Sequence, residues 1–229
     1  MSGPPSAFHF SFSSQKHDGS GPSSFPRPCG APCPPQTTDR VQLTRTTRPL
    51  LFPVPLRPMA DPPAFSALPD DARLWIHATA APLDDATQSA LLDRLSAFMD
   101  GWTSHQQPVE GAATILDDRF LVVAAAPVGG GDISGCGIDD LAHAIDDAAS
   151  ALDVDWVPSL HVLYRTADGG VAAVSRRTFQ QRAGDGAVTA DTPVFDPSLT
   201  TLGALREGAF EAPARESWHA QLLGTPAAS

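Results

Sequence analysis

Cys136 is the residue of this chain best placed to act as a nucleophile. It lies in Gly129-Gly-Gly-Asp-Ile-Ser-Gly-Cys-Gly-Ile-Asp-Asp-Leu141, where a glycine-rich loop runs into an amphipathic helix. A thiol at a helix start faces unpaired N–H groups and the positive end of the helix dipole, a setting that favours a thiolate or holds an anion. Acyl- or thiol-type chemistry also needs a base, and the histidines able to join Cys136 are His105, His161 and His219. Cys136, His105, His219 and Asp139 are the catalytic candidates, and they form a site only if the fold brings them into one pocket.

Each candidate also has a purely structural account. Cysteine is among the most buried residue types and often only packs. Ser134 suits a turn and Asp139 suits the first turn of a helix, where the dipole favours an acid. His77 alternates with Trp75 along a strand, and His143 falls on the solvent side of its helix by phase. Zinc could in principle use Cys136, His105 and His219, but no His-x-x-x-His or Cys-x-x-Cys pair supports it, and no metal or other cofactor is expected.

Gly129, Gly130 and Gly131 could cradle a phosphate or carboxylate at the helix start. They do not match G-x-G-x-x-G. Lysine excludes more. The only lysine is Lys16, so the body of the chain has neither a P-loop lysine nor an amine for a pyridoxal phosphate or Schiff-base enzyme.

Charge and proline divide the chain. Residues 1–58 hold most of the 23 prolines, many serines, and six basic against two acidic residues. Residues 59–229 hold nine basic against 24 acidic residues, twenty of them aspartate. The first stretch has too little apolar surface to offset the entropy of ordering and is expected to be a disordered extension. Met59-Ala-Asp-Pro-Pro then offers a plausible start of its own, with 1–58 mis-assigned to the gene. The acidic, lysine-free body suits solubility in high salt, as in halophiles, and excludes a nucleic-acid partner, since phosphates are neutralised by Lys and Arg. Three cysteines without a framework spacing, no apolar run of membrane length and no signal-peptide pattern point to a cytoplasmic protein without a membrane partner.

Periodicity supplies the elements that would position the candidates. A strand is expected over 72–78, and a helix over 85–101 with the stripe Leu91, Leu92, Leu95, Phe98, Met99 and Trp102. A hairpin over 111–126 turns at Asp117-Asp118, and a second helix runs from about Ile138 to Leu152. A second hairpin over 160–174 turns at Asp168-Gly-Gly, followed by short helices near 176–182, 202–207 and 216–223. The order β-α-β-β-α-β-β predicts an α+β domain over 66–223: one antiparallel sheet, two main helices on one face, a ferredoxin-like arrangement.

Asp71-Ala-Arg-Leu-Trp-Ile-His77, Trp102-x-x-His105, Arg119-Phe120, Ser134-Gly-Cys-Gly-Ile-Asp139 and Glu216-Ser-Trp-His219 resemble landmarks of a small bacterial family, mostly of Bacteroidota, commonly labelled "ABC transporter ATPase". The resemblance covers about 66–223. It implies the family grouping and its motif positions, with Ser134, Gly135, Gly137, Arg119, Trp102 and Trp218 as candidate ligand contacts. It does not carry the ATPase activity, because no Walker A is present. The expected function is a non-catalytic binding or adaptor domain for an unknown small molecule or protein, with a small cysteine/histidine enzyme as the alternative.

Overall fold

The computed structural model describes residues 62–223. The expected extension over 1–58, the proposed start at Met59, and Cys29 and Cys33 lie outside these residues.

Fold is set by β4 (Phe120–Pro127), which has no charged residue and is buried at every position but Ala126. A strand apolar on both faces requires a layer on each. On its flanks it pairs antiparallel with β1 (Arg73–Ala78) and β3 (Gln107–Leu116), and a two-residue strand, β2 (Thr103–Ser104), extends β3; the sheet order is β1-β4-β3-β2. Asp117 and Asp118 make the β3–β4 turn with φ of 47° and 54°, the left-handed geometry that tight hairpins favour.

Leu121, Val123 and Ala125 face a helix layer made by α1 (Asp85–Met99) and α2 (Gly135–Ser150), against Leu91, Leu95, Leu141 and Ile145. Asp84 caps α1 by accepting from the Thr87 N–H at 2.7 Å. Both main helices therefore lie on one face of this sheet, as the sequence suggests.

Phe120, Val122 and Ala124 face the other way, onto a second antiparallel sheet. It consists of β5 (His161–Arg165), β6 (Val171–Ser175), β7 (Pro193–Phe195) and β8 (Glu211–Pro213), in the order β6-β5-β7-β8. The Phe120 ring lies 4.8 Å from that of Phe195 and 5.0 Å from that of Phe210, at the centre of the inter-sheet core. The outer face of the second sheet, with Val162, Tyr164 and Val194, packs on Phe179 of α3 (Arg176–Gly184). A short α4 (Leu202–Arg206) and 3-10 turns at Pro63–Phe65, Ala214–Glu216 and Trp218–Leu222 complete the described chain.

The α+β class is as expected, and β1, α1, β3, β4, α2, β5 and β6 follow one another as expected, with β2 and β8 added. The ferredoxin-like sheet is not. The 160–174 hairpin builds a separate sheet with β7 and β8, because one face of β4 is taken by helices and the other still has to be covered. No helix among the described residues is long and apolar enough to cross a membrane.

Arg165 ties the two sheets together. Its Nε donates to Glu211 Oε1 at 2.6 Å, its Nη2 to Glu211 Oε2 at 2.8 Å and to Asp117 Oδ2 at 2.9 Å, and its Nη1 to the Gly169 carbonyl at 3.0 Å. The bonds to Glu211, then those to Asp117, raise its pKa against the opposing effect of burial. Removing one member of a buried ion group strands the others. Arg165→Met is expected to destabilise the fold by about 3–5 kcal/mol in urea unfolding, and neutralising Asp117 and Glu211 as well should recover part of that loss.

Candidate functional site

The first turn of α2 begins earlier than its apolar phase indicates. Ser134 is the N-cap and its Oγ accepts from the Gly137 N–H at 3.2 Å, so the helix starts at Gly135. Asp139 consequently lies beyond the first turn, exposed, rather than at the dipole position expected for it.

The β2–β3 hairpin is fastened to this turn. Ser104 Oγ accepts from the Ser134 N–H at 2.8 Å and donates to Ser134 Oγ at 3.1 Å, while Trp102 Nε1 donates to the Gly137 carbonyl at 3.1 Å. A Cβ on Gly137 would meet Ile133 at 3.1 Å and Ser104 at 3.5 Å, which explains the glycine. The polar groups of Ser134 and Trp102 are thereby engaged in docking; Gly135 and Cys136 are exposed.

His105 forms the tip of that hairpin with Gln106, both exposed and in the left-handed region at φ 51° and 66°. It directly follows Ser104, so its turn sits beside the turn that carries Cys136. Among the described residues no hydrogen bond joins Cys136 to a histidine.

His219 is elsewhere. It is 1% exposed, behind the second sheet, with Nδ1 2.7 Å from Ser217 Oγ and its ring 6.2 Å from Phe179. The core on that side takes no residue from α2. The four catalytic candidates thus divide into a Cys136–Asp139–His105 end of the helix layer and a remote His219. His161 is half-buried at the start of β5.

Arg119 is a structural tie. Its Nε and Nη2 donate to the Thr79 carbonyl at 3.1 and 2.6 Å, Nη2 also to Ala80 at 3.1 Å, and Nη1 to the Val171 carbonyl of β6 at 2.9 Å. Trp218, a candidate ligand contact, is 39% exposed, with the Arg176 guanidinium 5.2 Å from its ring centre. His77 is half-buried against Trp156 at 5.3 Å; burial lowers its pKa and Asp146 partly offsets this.

The glycine loop forms one wall of an open cleft of about 520 Å³. Gly129, Gly130 and Gly131 have φ of +95°, +87° and +101°, and a Cβ at any of them would meet nothing within 4 Å. Backbone conformation, not crowding, requires these glycines. Asp71, Arg73, Glu110 and Asp132 supply the charges of the cleft. Three carboxylates against one guanidinium favour a cationic or hydrogen-bond-donating partner over the phosphate suggested by the glycines. Sequence reading missed Asp71, Arg73 and Glu110 as a group, because only the pairing of Arg73 with Ala125 and of Gly111 with Ala125 brings their strands side by side. Among the described residues no three His, Cys, Asp or Glu side chains form a set able to hold a metal ion.

His219 makes the fold acid-sensitive. Burial pushes its pKa down to about 4; Asp196 pulls it up in part, and Arg176 adds a smaller downward push. The unfolded chain then binds a proton near pH 6.5 that the folded chain refuses, so stability is full above that value and falls as the pH drops toward 4. The expected slope from this group is about 1.4 kcal/mol per pH unit, roughly 3 kcal/mol in all, with His77 acting in the same direction. Urea titrations between pH 7 and 4 should show it, and His219→Gln should flatten the part between pH 6.5 and 5.

Comparison of the chain with protein-family models, curated proteins and solved structures finds no match.

Proposed function

We propose that the folded part of this protein is a non-catalytic binding or adaptor domain whose contact surface includes the Gly129–Gly131 loop and the cleft behind it. The observation that carries this reading is the loop itself: three successive left-handed glycines, with open space around them, beside Asp71, Arg73, Glu110 and Asp132. The separation of His219 from Cys136 supports it further. A cytoplasmic location and a place in the bacterial family of the Trp-x-x-His and Glu-Ser-Trp-His motifs belong to the same proposal. ATP hydrolysis does not, since the body lacks the lysine such a loop needs.

One observation favours a second reading as a thiol enzyme. The Ser104–Ser134 bonds hold the His105 turn next to the turn bearing Cys136. The two readings separate experimentally. In a binding domain, Cys136→Ser leaves partner retention unchanged and His105→Ala leaves the iodoacetamide reaction rate of Cys136 unchanged. A many-fold drop in that rate would transfer the assignment to the enzyme. Gly131→Val forces a side chain into a left-handed position, at about 1–2 kcal/mol, and should weaken partner retention in pull-down while the protein stays folded by circular dichroism.

A further inference from the structure

The two edges of the first sheet are treated differently. Along β1 the edge is covered: the Leu74 N–H donates to Thr200 at 2.9 Å, Leu202 to Ala72 at 2.9 Å, and Val157 to Ala78 at 2.7 Å. Along β3, β2 pairs only with Gln107 and Pro108, and Val109 donates to Trp102 at 3.0 Å. From Glu110 to Leu116 no main-chain hydrogen bond is made on the outer side among the described residues. Alternate residues of such an edge point their N–H and C=O groups outward, as a template for another strand.

Edges are commonly protected by charge or proline within the strand. β3 carries Pro108 and Glu110 at its first end only; Gly111-Ala-Ala-Thr-Ile-Leu116 has neither, and all six residues are half-buried. Beside it, walled by α1, the 64–68 segment and β3, lies a second cleft of about 630 Å³ with Ala64, Leu68, Leu92, Met99 and Ala113 among its apolar lining. α1 approaches closely here, since a Cβ on Gly111 would come within 3.2 Å of Met99 Sδ. The charged side chains lining the cleft are Asp93, Asp100 and Glu110, and Asp118 is exposed at the far end of the strand.

We infer that the outer edge of β3 is a strand-addition site for an extended partner peptide, apolar and β-branched in its middle and basic at its ends. The inference rests on the reading of the domain as a binding module and names the partner's chemistry. Backbone pairing supplies affinity, and the acidic rim selects charge. A second copy of this chain fits poorly, because it brings the same carboxylates and the same excess of acidic residues to the contact.

The test uses the full chain and a short synthetic peptide of alternating valine and threonine with arginine at both ends, followed by hydrogen exchange. Expected are saturable binding, slowed exchange of amides within Glu110–Leu116, no binding of a peptide ended in glutamate, and affinity that falls with salt. Asp93→Asn/Asp100→Asn, two surface changes that leave the core and the glycine-loop cleft untouched, should weaken binding several-fold and flatten the salt dependence. Absence of binding overturns the inference. So does edge protection without peptide, whether it vanishes on dilution, which identifies a second copy, or persists in the monomer, which identifies the chain's own residues. Protection confined to 129–133 overturns the inference but preserves the binding reading; loss of partner retention on Gly131→Val measures that reading separately.

Discussion

A strand that is apolar on both faces cannot stand at a solvent boundary, and β4 is such a strand. Phe120, Val122 and Ala124 point one way and Leu121, Val123 and Ala125 the other, and all six are fully buried. Burying a large apolar side chain contributes roughly 1.5–3 kcal/mol, so leaving either face wet would forfeit a large part of a domain's net stability. The helices meet one demand and the second sheet the other. The order of layers, helices then sheet then sheet then α3, follows from this strand.

Two buried arginines seal the junction between the sheets by different means. Arg165 meets Asp117 and Glu211 and lies 5.0 Å from the Phe195 ring, so its charge is neutralised locally. Among the described residues Arg119 meets no carboxylate and is held by the carbonyls of Thr79, Ala80 and Val171. Burial lowers its pKa, yet a guanidinium stays charged where a lysine would not. The body has nine arginines, no lysine and 24 acidic residues, and because Asp117 and Glu211 go inside with Arg165, burying two arginines leaves the acidic excess of the outer surface as the composition gives it. That excess governs which partners the open surfaces can accept.

Local patterns in the sequence announced the helices and both hairpins, because 3.6-residue periodicity and turn residues act over short range. The second sheet was less legible. β7 and β8 have three residues each, too few for a period; Pro193-Val-Phe195 reads as no more than a brief extended piece within a loop, and nothing local marks β8. The start of α2 was misplaced by about a turn because the Ser134 cap acts through Gly137, which carries no apolar signal. His219 and Cys136 looked like partners only while their distance in space was unknown. Asp71, Arg73 and Glu110 share a cleft for the converse reason: strand pairing joins segments whose spacing along the chain carries no information.

The glycine loop can now be separated from the helix it precedes. Gly137 is required by packing, with Ile133 and Ser104 pressing on it, whereas Gly129, Gly130 and Gly131 have nothing near them. Glycine loses more conformational freedom on folding than any other residue, so three in succession burden stability without any packing return. A shorter polar turn would join β4 to α2 with less loss. What the glycines supply instead is a backbone bare of side chains along one wall of a charged cleft, approachable from solvent. The same residues that invite a nucleotide-loop reading thus fit better as an accessible surface beside carboxylates than as an anion cradle.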